Sequence, residues 1–356
     1  MDVGHTAQQN LSRARITVSI RRFLTSLFGG TSPLANVPTP SPARRRQGAA
    51  RDSRLSHSVL SVNSLGFVGQ AQLSPNKRWA IACTDRQSGM NPRPGEADGS
   101  AILVDYPEDR VVVRITGLFR PMDSAVSDVG VFLVNDANFG GQLSADVQSF
   151  DASGKNIFGR KYKANVFNLA ISRCGRYGVA QTCNASNDDG NLLEVFNLQV
   201  GAIVFSRAPE SGWADQYEFT ISEDGKLIRL AVIHKDIGRF NYSASGDFLD
   251  SEMHQKARLQ KGSAEMRIHS AKCALKADPQ NRELARELVE VVLDGALADL
   301  GKERVDFLAT GLRVKGEALE LLGRTADAIS AYEAAIAANP KIGVAKRLAA
   351  LKKKPS

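Results

Sequence analysis

Histidines and cysteines are the side chains best able to hold a metal or attack a substrate, and here their spacing argues against both. His5, His57, His234, His254 and His269 form no HExxH pair and no ligand set with a cysteine. Cys83, Cys174, Cys183 and Cys273 form no CxxC pair. Cys174 and Cys183 could meet across a hairpin, but thiols this sparse read as buried and unpaired, in a reducing compartment. Two oxygen-rich stretches, "NASNDDGN" (Asn184–Asn191) and "GEADGS", could bind Ca²⁺ weakly. Neither has the D-x-[DN]-x-[DN]-G-x5-E spacing of a calcium loop, and solvated turns explain them better. No GxSxG elbow and no GxxxxGK[ST] loop occurs. The expectation is therefore no catalytic residue, no metal and no cofactor.

The elements around these residues are of two kinds. After residue 251 the apolar period is helical. "FLATGLRVKGEALELLG" puts Leu312, Gly316, Leu319 and Leu322 on one face, and Gly323 marks a turn. In "LGRTADAISAYEAAIAANP" Thr325 is the expected N-cap and Asp327 suits the helix dipole. Ala328, Ile329, Tyr332, Ala335 and Ile336 share a face, and Asn339-Pro340 ends the helix. So small-sided a helix must approach its neighbour closely, with Tyr332 filling the gap.

This hairpin resembles a tetratricopeptide (TPR) repeat over about 34 residues. The family's pattern falls on Leu312, Gly316, Leu319, Gly323, Ala328, Tyr332, Ala335 and Pro340, with Lys315 where leucine is usual. "SAEMRIHSAKCALKADPQ" echoes the second helix of such a repeat, through Gly262, Ala274 and Pro279. "KIGVAKRLAALKKKPS" reads as a capping helix, so five to seven helices are expected in residues 251–356. A plain helical bundle is the alternative. The resemblance implies a concave groove for a peptide or helix of another protein, lined by Arg313, Glu317 and Glu320. Their mixed signs do not suit capture of a C-terminal carboxylate.

From about 61 to 250, β-branched and aromatic residues alternate with polar ones in short runs. One phrase recurs, an apolar residue, Ser, two residues, Gly and a strand. Its serines are Ser74, Ser127, Ser172 and Ser222, 53, 45 and 50 residues apart. Gly130, Gly175 and Gly225 occupy the turn in three copies, and Lys77 in the first. A strand that ends in a tight turn with positive φ and returns would give this pattern. Four strands per unit of 45–53 residues is the arithmetic of a propeller blade. The stretch resembles WD-repeat-like β-propellers, in which "SPDG" opens the second strand, though no Trp-Asp ends a unit and no Gly-His begins one. Four units permit a closed ring or an open stack, and "SVLSVNSLGFV" near Val59 could supply an edge strand. A β-sandwich with chance similarity between hairpins is the alternative.

The net charge of +8 resides in a tail. Residues 1–60 carry nine arginines against Asp2 and Asp52, a net +7. The remainder is close to neutral, so nucleic acid is not an expected partner. Residues 11–28 could form an amphipathic helix, with Leu11, Ile16, Ile20, Phe23, Leu24 and Leu27 on one side. Such a segment suits an anionic membrane or a transit peptide. The alternative is a poorly ordered tail.

The fold expected is multidomain β plus α. A basic tail (1–60) precedes a four-unit propeller-like domain (61–250) and a TPR-like helical domain (251–356). The function expected is a non-catalytic, cytoplasmic scaffold or adaptor that binds proteins. A membrane-tethered or organelle-targeted factor, or an enzyme with a site in the propeller centre, are the other readings.

Overall fold

The computed structural model describes residues 51–85, 97–138, 143–301 and 303–353. The basic segment 1–50, with its expected helix 11–28, lies outside the described residues, as do Gly95 and Glu96 of "GEADGS".

Seventeen strands among the described residues form four antiparallel sheets. The first holds β1 (Ser53–Ser56), β2 (Val59–Val62), β3 (Phe67–Leu73), β4 (Trp79–Thr84), β5 (Gly99–Asp105) and β6 (Arg110–Leu118), in that order. The second holds β7 (Pro121–Val126), β8 (Phe132–Ala137), β9 (Ala145–Phe150) and β10 (Asn156–Tyr162). β11 (Val166–Ile171), β12 (Tyr177–Thr182), β13 (Leu193–Asn197) and β14 (Ala202–Arg207) make the third. The fourth has β15 (Gln216–Ile221), β16 (Leu227–His234) and β17 (Gly238–Ser243). The folded region begins before residue 60, where the tail was expected to end. Ser53 is buried beside β1's partner, and Leu60 and Val62 are core residues. The stretch near Val59 thus supplies the expected edge strand as β2, while β1 was masked by the Arg- and Ser-rich texture around it.

The sheets stack face to face, and the alternation of side chains shows how. In β4, Trp79, Ile81 and Cys83 join a core with Phe132, Val134 and Phe150 of the second sheet. Leu133 and Val147 turn the other way, to meet Leu169, Ala180 and Phe196 of the third. Val179, Val195 and Phe205 of the third meet Leu230, Phe240 and Tyr242 of the fourth. Middle strands are thus buried on both faces, which is why "SAILVD" and "FLVN" read as near-continuous apolar runs.

The stack is open, because its two end faces are finished differently. Ala80, Ala82, Ile102 and Val104, on the outward face of the first sheet, lie under Leu60, Val62 and Phe67. β3 bends to allow this, pairing with β2 through Phe67–Gln70 and with β4 through Gln70–Leu73. The outward face of the fourth sheet is polar: Gln216, Glu218, Thr220, Arg229 and Arg239 are exposed, and Arg239 pairs with Glu218. A polar end face keeps a stacked array soluble.

The recurrent serines are structural. Ser74 Oγ accepts from Trp79 N, Ser127 Oγ from Val131 N, Ser172 Oγ from Tyr177 N and Ser222 Oγ from Lys226 N, all at 2.9–3.0 Å. Each hydroxyl satisfies a turn donor that would otherwise have no strand partner. Gly130, Gly175 and Gly225 have φ of +83°, +71° and +81°. Neighbouring turns are also stapled together. Asp128 accepts from Asn76 N (2.7 Å) in the turn before it and from Arg173 Nε (2.8 Å) in the turn after.

The C-terminal part is helical: α1 (Ser251–Gln260), α2 (Ala264–Ala277), α3 (Arg282–Glu287), α4 (Asp294–Ala298), α5 (Val305–Leu321), α6 (Thr325–Ala338) and α7 (Ala345–Lys352). A π-helical stretch, Leu288–Leu293, joins α3 to α4. Ser263 and Asn281 cap α2 and α3, accepting from Met266 N and Leu284 N. α6 begins at Thr325, so its N-cap is Arg324 and not the expected Thr325, and no side-chain cap bond forms there. Instead the Arg324–Asp327 ion pair closes the first turn of α6.

Candidate functional site

The helical hairpin α5–α6 places its sequence-singled residues in two groups. Leu319, Ala328, Tyr332 and Ala335 are buried, each at 1% exposure or less, and Leu312 is half-buried. A Cβ on Gly316 would lie 2.5 Å from the Tyr332 ring, so the absence of a side chain there makes the seat for the tyrosine. Gly323 has φ +80° in the turn, and Pro340 is exposed just past α6.

The second group is charged. Arg313 Nε lies 2.8 Å from Glu317 Oε1, and Arg313 Nη1 donates to Ile342 O at 3.4 Å. Arg347 of α7 donates through Nε to Glu320 Oε2 at 2.6 Å, and its Nη1 is 3.7 Å from Glu317 Oε1. Tyr332 Oη donates to Glu320 Oε2 at 3.1 Å. Burial, with the Glu320 carboxylate beside it, pushes the Tyr332 hydroxyl above its ordinary range, so it stays a donor. Arg313, Glu317 and Glu320 therefore converge, but they face α7. Any ligand would have to compete with Arg347, whose half-exposed pairs are each worth about 0.2–1 kcal/mol.

A second surface runs along the inner strands. Val68 (60% exposed), Met122 (49%), Phe167 (42%) and Trp213 (42%) come from β3, β7, β11 and the segment leading to β15. Val68 and Met122 border one cleft of about 960 Å³. The Phe167 and Trp213 rings pack with centroids 5.0 Å apart and planes tilted by 31°, and Trp213 Nε1 donates to Asn191 Oδ1 at 3.2 Å. Met122 and Phe167 sit at register shifts in β7 and β11, which turn them outward from an otherwise alternating strand. Sequence reasoning missed this row. A signal existed: Met122 and Phe167 each stand five residues before the repeat serine, and Val68 six.

Polar side chains staple the inner strands together beneath this row. Gln72 Nε2 donates to Asp123 Oδ1 at 3.1 Å, and Asp123 accepts from the backbone N–H groups of Ser124 and Leu169. Asn168 Nδ2 donates to Ala214 O (3.1 Å) and Asp215 O (2.9 Å). Burial pushes the Asp123 carboxyl up to about 6. Between the second and third sheets, buried Glu194 accepts from Tyr162 Oη (2.6 Å), Arg160 Nε (3.2 Å) and Ser206 Oγ (2.9 Å). All of these are paired groups that hold sheets in register.

The cysteines and histidines divide differently from expectation. All four cysteines are free; Cys83 is buried, but Cys174 and Cys273 are exposed and Cys183 is intermediate. Burial pushes the Cys83 thiol up to about 12, so it is an inert core group. His269 Nε2 lies 3.5 Å from Cys273 Sγ, an i,i+4 pair on α2 that was overlooked in "HSAKC". Among the described residues no three His, Cys, Asp or Glu side chains are grouped to hold a metal. The oxygen-rich Asn184–Asn191 turn is tied inward, with Asp189 paired to Arg160 at 2.8 Å and Asn187 Nδ2 donating to Lys163 O at 2.7 Å.

Four antiparallel sheets with serine turns and converging inner strands define a β-propeller-like domain with a helical C-terminal part. No family model matches the chain, and no curated protein does. Nothing in these comparisons assigns the α5–α6 hairpin to the tetratricopeptide family. Solved structures similar to the chain include one from the "Mitotic Checkpoint Complex" (10% identity, TM-score 0.34, covering 55% of this chain and 60% of that one). HIRA(644-1017) is similar over 72% of this chain and 93% of its own (12% identity, TM-score 0.33). The Dos1 propeller is similar over 48% and 41% (12% identity, TM-score 0.32). The chain spans about three-fifths of the length of the first of these.

Proposed function

We propose that this protein is a non-catalytic scaffold that binds other proteins. The exposed row Val68, Met122, Phe167 and Trp213 carries this reading. Large apolar and aromatic side chains held outward on a rigid strand array are the usual anchors of a protein interface. The groove residues Arg313, Glu317 and Glu320 of a TPR-like hairpin offer a second docking place once α7 is displaced.

The test is site-specific photo-cross-linking in cells of the source organism, from Met122 and from Trp213. One polypeptide captured at both positions, and lost on Phe167→Glu, supports the reading. Capture of unrelated abundant proteins that Phe167→Glu does not alter would sink it.

A second reading concerns location, and the acid-free, arginine-rich residues 3–51 favour it. In it the basic segment tethers the scaffold to an anionic membrane or directs it to an organelle; without such a role the protein is cytoplasmic. Deleting residues 1–50 decides, since an unchanged location removes the idea. No helix among the described residues is long and apolar enough to cross a membrane.

A further inference from the structure

The fourth sheet has three strands, and the chain after β17 closes over its open edge. Phe248 bridges to Tyr242. Asn241 donates to Asp250 Oδ2 through both its backbone N and its Nδ2, each at 2.7 Å. Leu249 N donates to Asn241 O at 2.9 Å. α1 follows directly, and its Ala257 joins the core between the third and fourth sheets.

Two histidines lie at this junction, His234 of β16 and His254 of α1, both buried, with ring centroids 5.9 Å apart. The His254 ring meets Phe240 and Phe248 edge-on at 4.8 and 5.4 Å. Nε2 of each imidazole is buried without a hydrogen-bond partner, and so is Arg258 Nε. The backbone of Ser211 hydrogen-bonds His254, and that of Trp213 hydrogen-bonds His234.

The charges facing the pair come from several elements. Arg258, one turn along α1 from His254, disfavours a proton on either ring, and His234 disfavours one on His254. Asp215, ahead of β15, favours a proton on His234. Glu210 faces the nearby Tyr242 hydroxyl. Burial is the largest influence on both imidazoles and holds them below the ordinary range, His254 down to about 4.

We propose that His234, His254 and Arg258 form an acid-operated latch that holds α1 on the fourth sheet while both rings are neutral and releases it when they take up protons. Uptake puts new positive charge beside Arg258 in a largely buried pocket lined by Phe240 and Phe248, where screening by water is weak. In the released state the rings titrate near the ordinary histidine value of about 6.5. Docking is therefore fully favoured above that pH and weakens as pH falls toward the docked-state value of about 4 for His254. Each proton taken up steepens release by at most about tenfold per pH unit.

Hydrogen exchange of the full chain between pH 7.5 and 4.5, corrected for the intrinsic rate, tests the latch. Amide opening in Leu249–Gln260 should rise about tenfold or more between pH 6 and 5, while β8 and β12 stay protected. His254→Phe keeps a ring between Phe240 and Phe248 and should lower that slope by one proton. Should that variant not fold, Arg258→Met leaves both imidazoles in place and should shrink the total rise between pH 6.5 and 4.5. A flat wild-type profile, or variants that follow the wild-type curve, would overturn the latch.

Discussion

Lys77 and Gly130 hold the same place in successive turns, with φ of +59° and +83°, yet Gly130 is buried and Lys77 is exposed. A Cβ on Gly130 would stand 3.0 Å from the Trp79 ring of the sheet before it. Lys77 belongs to the first unit and is exposed. The same close approach recurs at Gly175, where a Cβ would lie 2.9 Å from Val129 Cγ2. The glycines serve sheet stacking as much as turn geometry, which explains why the first copy tolerates lysine.

That relationship gives opposite effects at equivalent positions. Gly130→Ala should cost about 2–3 kcal/mol, from positive φ plus displacement of Trp79. Lys77→Gly should stabilise by about 0.5–1 kcal/mol, because a non-glycine residue is relieved of left-handed backbone. Urea midpoints of the two variants against wild type check this, and equal losses at both sites would contradict it.

Tyr332 depends on the missing side chain of Gly316. Gly316→Val should destabilise the helical part by about 2–4 kcal/mol, since the α5–α6 approach leaves no room for a branched side chain. Tyr332→Phe removes only the hydroxyl's bond to Glu320 and should cost about 1 kcal/mol. Helical circular dichroism during thermal unfolding separates the two.

Asp123 should give a pH signature of its own. Its carboxyl is raised to about 6 in the fold, against 3.8 for the ordinary group. The folded state thus binds more protons between pH 3.8 and 6, and this contribution is present below 3.8 and lost as pH rises through 6. Asp123→Asn, which cannot ionise, should raise stability at pH 8 by about 1–3 kcal/mol relative to wild type. The gain should vanish by pH 4. A gain that is independent of pH would show that desolvation of the charge is not the cause.

Arg347 shields the charged helix face. Arg347→Ala should lower stability by about 1 kcal/mol while removing the α7 cation that competes with a basic peptide for Glu317 and Glu320. A labelled lysine-rich peptide that binds the variant more tightly than wild type, with the gain abolished by added Glu320→Gln, is the expected result.

Much of the strand framework was legible because Ser-x-x-Gly turns repeat and each turn serine makes the same bond. The α5–α6 hairpin was legible from alanine spacing and a terminal proline. β1 was not, because Arg51, Arg54 and the serines around them resemble linker composition, whereas β2 falls in the stretch near Val59 expected to supply an edge strand. The outward row was hidden for a different reason. Register shifts reverse the side on which Met122 and Phe167 emerge, and an alternating pattern read from sequence assigns such residues inward. The Glu317–Arg347 pairing joins residues 30 positions apart across two turns, which helical periodicity does not encode.

The dissimilar finish of the first and last sheets has an evolutionary corollary. A ring fixes its membership, since losing or gaining one sector leaves a gap or a clash at closure. A row bounded by a folded-over hairpin at one extremity and a hydrophilic side at the other carries no such arithmetic. Duplicating an interior module, such as residues 121–164, would lengthen the array and present one more outward residue without disturbing either terminus.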